Sequence, residues 1–406
     1  MDVGIEAINA YVGRALLDTR MLSRARGLDM SRFDNLMMDG KSVSLPCEDP
    51  VSNAVNAAKP LVDALTEAER RRIELVVVGT ESGIDFAKPI STYVQHYLGL
   101  GTACRSFEVK HACYGGTAAL RAAMGIVAGT PGSKALVIAA DAAGVADRNT
   151  YWEPSQGTGA VAMLVGDRPE ILAVDPGAAG FHSREVMDTL RPRADVEAGD
   201  SDLSLMSYLE ALRSSYARYA DRVEGADLFG TFRWLVFHSP FAGMVKGAHR
   251  TLVRGHIPDL EIGADFDRRV APTLRFCSTV GNTYSAALYL GLCSLLEHTD
   301  FVDAARIGLF SYGSGCASEF YSGVVPAGAH ERVAKLEIGR AVAERVPLTM
   351  TEYELVSDLS VRRMGGVEEL EVEIADYQAL YDRTLAGRGL LVLDRIRAYH
   401  REYRWS

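Results

Sequence analysis

Apolar residues along this chain come in short dense runs, separated by polar corners rich in glycine. Val3–Val12 alternates loosely and predicts a first strand. Ile73–Val78, Ala135–Ala140 and Gly157–Val165 are nearly unbroken apolar runs, the pattern of strands buried on both faces. Between them the spacing turns helical. Val51–Leu65 has apolar residues at 54, 57, 58, 61, 62 and 65 and starts just after Pro50, with Pro60 inside it as an expected kink or break. Leu16–Arg26 and Ile90–Leu98 also read as helices. A short run at Phe107 and Val109 ends in Ala112-Cys113, then Gly115-Gly116, then helical spacing at Leu120, Ala123, Met124 and Val127. Asp167–Asp202, with Pro169, Pro176 and Pro192, reads as irregular. The rhythm returns with a helix at Leu205–Tyr219, a strand at Phe232–Phe237 and a helix at Ala242–Arg254. A long helix follows at Gly281–Glu297, then strands at Arg306–Ser311 and Glu319–Val325 and a late strand at Leu390–Leu393.

Strands alternating with helices predict an α/β protein with a mostly parallel sheet. The two halves share a plan. Each has an apolar strand ending in a polar motif (Glu81; His238), a small-residue turn opening a helix (Cys113; Asn282) and a closing strand followed by glycine (Gly144; Gly313). A duplicated unit gathers the carboxyl ends of matching strands around a pseudo-twofold axis, where the active groups of open α/β sheets collect. Glu81, Cys113, His238 and Asn282 are therefore expected to converge.

Composition narrows the class. The chain has 406 residues, 48% of them hydrophobic, enough for one large duplicated unit or two domains. A net charge of −10 argues against a nucleic-acid binder. No apolar run reaches the roughly 20 residues of a membrane span, and the amino terminus lacks the pattern of a signal peptide. The expectation is a soluble cytoplasmic protein. Six scattered cysteines without metal-ligand spacing point to reduced thiols and no metal site.

The four converging residues suggest one chemistry. A thiol at a helix amino end is favoured as thiolate and attacks thioesters to form an acyl-enzyme. His238, at a strand end before Pro240, is placed to hold a carbonyl oxygen with help from Asn282. Cysteine, histidine and asparagine alone suggest a Claisen condensation. Glu81 adds a carboxylate whose partial burial raises its pKa toward neutrality, as a general acid/base needs. That addition suggests removal of a methyl proton from a Cys-bound acetyl group and an aldol-type attack on a ketone. Taken singly, each residue also has a structural reading: small core thiol, strand-ending imidazole, helix cap, turn residue.

VGTESGID, EVKHACYGGTAAL, EPSQGTGAVAML, FHSPF, VGNTYSAALYLGL and SYGSG resemble, in order and spacing, the 3-hydroxy-3-methylglutaryl-CoA synthases of the thiolase superfamily. The resemblance implies a thiolase-like duplicated α/β/α/β/α fold with mostly parallel five-stranded sheets, halved at 1–167 and 168–406, and a homodimer. It implies Cys113 as the acetylated nucleophile, Glu81 as general acid/base and His238 as the group that orients the acceptor carbonyl. It places Asn282, Ser314 and Tyr208 against the acyl group and Lys246 near pantetheine or phosphate. NLMMDGKSVSLPCEDPVSNAVNAAKPLVDAL and AYHREYRW are similar to the polyketide β-branching branch, whose donor acetyl and β-ketoacyl acceptor both ride on acyl carrier proteins. Val145–Trp152 departs from the primary-metabolism pattern, so contacts there, Tyr151 included, are not carried over. No cofactor is implied beyond the phosphopantetheine that carries the substrates.

Carrier proteins are acidic, so this acidic chain needs a local basic patch to receive one. Lys246, Arg250 and Arg254, spaced i, i+4, i+8, share a helix face just after His238. Three alternatives stand beside this reading: a primary-metabolism synthase using CoA thioesters, a ketosynthase-III-like Claisen enzyme and a non-catalytic carrier-binding protein.

Overall fold

A computed structural model of the chain describes residues 2–142, 148–150, 152–193, 196–363 and 365–406; Gly144 and Tyr151 lie outside them. Nine strands form one sheet, in the order Trp234–Phe237, Ala305–Gly313, Ala317–Val325, Leu172–Ser183, Gly4–Tyr11, Gly159–Gly166, Lys134–Asp141, Ile73–Gly79 and Arg105–Val109. The first four come from the second half of the chain and the other five from the first. The seam between them is thin: Gly4 and Ile5 pair with Ala173 and Leu172.

Period-2 side-chain alternation explains the layering. Leu75 and Val77 point to a central core; Val76 and Val78, between them, pack on the opposite face under the helix Pro50–Asp63. The second half repeats this. Trp234 and Val236 join the central core, while Leu235 and Phe237 pack near the helices Ser201–Arg222 and Ala242–Val253. Two helices, Gly115–Gly129 and Ala287–His298, contribute to that central core together. This is the duplicated α/β plan.

Their amino ends meet closely. A Cβ on Gly116 would lie 2.5 Å from the carbonyl oxygen of Ser285. Only the missing side chain of glycine allows the two backbones this approach. Gly116→Ala is expected to cost about 3 kcal/mol of stability, the upper end of the range for overpacking. Denaturant unfolding checks it, and an unchanged midpoint would disprove the contact.

The sheet is mixed rather than mostly parallel. Ile73–Gly79 runs parallel to both its neighbours, and Trp234–Phe237 runs parallel to Ala305–Gly313. The other five pairings are antiparallel. The link from Ala305–Gly313 to Ala317–Val325 is only Ser314–Cys316, far short of the dozen or so residues of a parallel crossover. The five-strand expectation holds for the first half; among the described residues the second half contributes four.

Several local expectations are corrected. Asp167–Asp202 contains the long strand Leu172–Ser183, hidden by Pro176 and Gly177. These fall where the pairing slips between Tyr321 and Gly323, a bulge that tolerates both residues. The helix expected over 16–26 begins at Thr19, because Asp18 caps it by accepting from the Met21 amide at 2.6 Å; the residues before it pair as a strand with Gly40–Val43. The helix expected from Gly281 starts later, since Gly281 has φ +87°. Pro50–Asp63 runs unbroken through Pro60, held by burial under the sheet. Among the described residues no helix is long and apolar enough to cross a membrane.

Candidate active site

The three proposed catalytic side chains, and Ser314 expected against the acyl group, sit just past the carboxyl ends of strands. Glu81 follows Ile73–Gly79, Cys113 follows Arg105–Val109, His238 follows Trp234–Phe237 and Ser314 follows Ala305–Gly313. All four, with Asn282 and Tyr208, line one cavity of about 470 Å³. The convergence expected from the duplicated plan is what the structure shows.

Cys113 donates its thiol hydrogen to Glu81 Oε2 across 3.3 Å. Ala112, just before it, has φ +42°, a strained conformation for a residue with a Cβ, and this turns the thiol into the cavity mouth. The thiolate expectation is corrected here. Burial, then the adjacent Glu81 charge, pushes the Cys113 pKa well up. The resting group is a thiol. Glu81 behaves as anticipated: burial raises its pKa to about 7, against the pull of Arg191.

The turn bearing Glu81 is clamped by a residue the sequence reading missed. Asp141, fully buried, accepts through Oδ1 from the Thr80 hydroxyl and from the Glu81 and Ser82 amides, each at 2.9 Å. Through Oδ2 it accepts from the amide (3.0 Å) and hydroxyl (2.5 Å) of Ser285. One carboxylate thus ties the Glu81 turn to the start of the central helix of the other half. The available signal was a single acid ending the apolar run 135–140.

His238 is buried, and burial alone lowers its pKa to about 3, so the ring is neutral. Its amide donates to the Phe310 carbonyl at 2.8 Å and its carbonyl accepts from the Tyr208 hydroxyl at 2.7 Å. Tyr208 therefore lines the cavity with its ring while its hydroxyl anchors His238. Asn282 uses its side-chain oxygen to accept from the Tyr284 amide at 2.8 Å, fixing the turn that opens the second central helix. Lys246 and Arg250 lie outside the cavity lining on an exposed helix face; the helix ends at Val253, so Arg254 is exposed just past it rather than on the face expected for all three, and Phe241 and Met244 line the cavity wall. The sequence reading also missed Arg191 and Glu197, which line the cavity from the stretch taken as irregular.

A thiol, a near-neutral carboxyl and a neutral imidazole in one pocket, at the strand ends of a duplicated α/β sheet, define a thiolase-type enzyme that forms carbon–carbon bonds. The family descriptions "Hydroxymethylglutaryl-coenzyme A synthase N terminal" and "C terminal" match residues 1–170 and 260–368. PksG of Bacillus subtilis, a polyketide biosynthesis 3-hydroxy-3-methylglutaryl-ACP synthase, is 46% identical over 418 residues, covering 100% of this chain and 99% of that protein. The curacin-pathway HMG synthase in complex with acetyl donor-ACP superposes with a TM-score of 0.97 at 49% identity over 100% of both chains. MvaS in complex with 3-hydroxy-3-methylglutaryl coenzyme A gives 0.87 at 35% identity, over 100% of this chain and 99% of that one. The chain belongs to the hydroxymethylglutaryl-CoA synthase family, in its polyketide β-branching branch.

Proposed function

We propose that this enzyme adds an acetate unit to a β-ketoacyl thioester, both partners arriving on the phosphopantetheine of acyl carrier proteins. The observation that carries the chemistry is the 3.3 Å contact between Cys113 and Glu81 beside neutral His238 in a single cavity. Cys113 takes the acetyl group and the donor thiol leaves with the proton. Glu81 removes a proton from the acetyl methyl. The carbanion attacks the β-carbonyl, held by the His238 ring with Asn282 and Ser314 nearby, and the alkoxide takes the proton back from Glu81. Water then cleaves the Cys113 thioester, freeing the thiol and leaving a new carboxylate on the 3-hydroxy-3-carboxymethyl chain. A homodimer, with halves at 1–167 and 168–406, completes the reading.

Delivery by carrier protein is supported by 49% identity to a synthase crystallised with acetyl donor-ACP. Intact-mass analysis tests it: acetyl-carrier protein is expected to add one acetyl group faster than acetyl-CoA does. Faster loading from acetyl-CoA would favour the primary-metabolism reaction. The basic surface of Lys246 and Arg250 on the helix, with Arg254 just past its end, is the proposed receiving patch, on the segment whose Phe241 and Met244 line the cavity. Arg250→Glu is expected to raise KM for carrier-bound substrate about tenfold, most strongly at low salt. Identical kinetics at all salt concentrations would remove the patch from the proposal.

A further inference from the structure

Glu81 has a second neighbour besides Cys113. Arg191 lies in Thr189–Arg193, which pairs with Val196–Gly199 as a separate two-stranded hairpin. The base of this hairpin is fixed. Asp188, fully buried, accepts from the Tyr312 hydroxyl at 2.5 Å and the Gly315 amide at 2.8 Å, and its carbonyl accepts from the Asp200 amide at 2.9 Å. Gly199 passes so near that a Cβ there would lie 2.3 Å from the Asp188 carbonyl oxygen.

From that anchor Arg191 reaches into the cavity with only 10% of its side chain exposed. Nη2 lies 3.4 Å from Glu81 Oε1 and 2.6 Å from Glu197 Oε2. Glu197 sits where the hairpin register slips, and the guanidinium lies 5.6 Å from the ring centroid of Tyr284. The two oxygens of Glu81 are thus divided. Oε1 meets Arg191, and Oε2 meets the sulfur that carries the acetyl group.

We propose that Arg191 is a positioning residue for the condensation: it holds Oε1 of Glu81 so that Oε2 faces the acetyl methyl, and Glu197 divides its charge between two carboxylates. The proposal rests on the reading of Glu81 as the base. The charged and titratable groups nearest Glu81 are Arg191 and Glu197 from the hairpin, Asp141 beneath the turn and the Cys113 thiol beside it; Lys110, Arg32, Asp202, Tyr208, Tyr284, Tyr312 and the neutral His238 ring line the same cavity.

Glu81 must be ionised to accept the methyl proton, so condensation rises with pH through its pKa of about 7. Removing the cation raises that pKa and moves the rising limb to higher pH. Neutralising Glu197 leaves Arg191 to Glu81 alone and moves the limb to lower pH.

The experiment is single-turnover condensation by preloaded acetyl-enzyme across pH 5.5–9.5, for wild type, Arg191→Gln, Arg191→Lys and Glu197→Gln. Arg191→Gln is expected to shift the limb up by about one pH unit and to lower the plateau rate about tenfold. Arg191→Lys is expected to restore the limb more than the plateau, since a point charge cannot divide itself as a planar fork does. Glu197→Gln is expected to shift the limb down. Limbs that superpose, or that move in one direction for Arg191→Gln and Glu197→Gln, overturn the proposal. If Arg191→Gln does not fold, Glu197→Gln decides it: a limb that stays with wild type or moves to higher pH overturns the proposal. Failure of the Glu81 reading looks different: Glu81→Gln would then condense at the wild-type rate.

Discussion

Glu81→Gln is expected to give an enzyme that takes up one acetyl group and then stops. The amide keeps the size of the carboxyl and can still be held near Arg191, but it cannot accept a proton from the acetyl methyl. Acetyl transfer to Cys113 moves a proton from one thiol to another and does not need Glu81 as the lasting acceptor. General acid–base groups contribute typically 10²- to 10⁴-fold, so condensation should fall by about that factor, or roughly 3–5 kcal/mol of barrier. Mass spectrometry of the protein reads the loaded acetyl, and chromatography of the carrier-bound product reads the condensation. Loss of loading, or condensation at the wild-type rate, would each contradict the assignment.

Cys113→Ala has the larger effect. Without sulfur there is no acyl-enzyme, and product formation should fall at least 10⁴-fold, with no acetyl gain from either donor. The fold should survive. Cys113 lines the cavity rather than the packed core, so a melting temperature within a few degrees of wild type is expected. Residual turnover above that limit, or an acetyl group found on Cys47, Cys104, Cys277, Cys293 or Cys316, would move the nucleophile elsewhere.

The duplicated α/β plan and the three central side chains were legible because each rests on a local signal. Unbroken apolar runs mark doubly buried strands, and a polar residue directly after such a run marks a strand end. His238 follows its strand directly and Glu81 follows by two residues, whereas Cys113, four residues past a half-buried edge strand, is marked by the Gly115-Gly116 turn that opens a helix. Strand direction was not legible, because it depends on link length and on which edge a strand joins; the three-residue link at Ser314–Cys316 settles it for one hairpin. Arg191 and Glu197 were hidden because their hairpin is short and follows a proline-bearing bulged strand with no clean period. The charge state of Cys113 was misread because a helix end is visible in sequence, whereas burial beside an acid 32 residues away in the chain is not.

Asp141 joins the backbone that presents the acid to a serine belonging to the opposite repeat. Neither repeat therefore owns a complete reaction centre. Any fragment cut between the repeats would leave that carboxylate holding the Glu81 turn alone. Slow turnover in a variant altered at Ser285 would then be a fault of alignment, inherited from a side chain no substrate reaches.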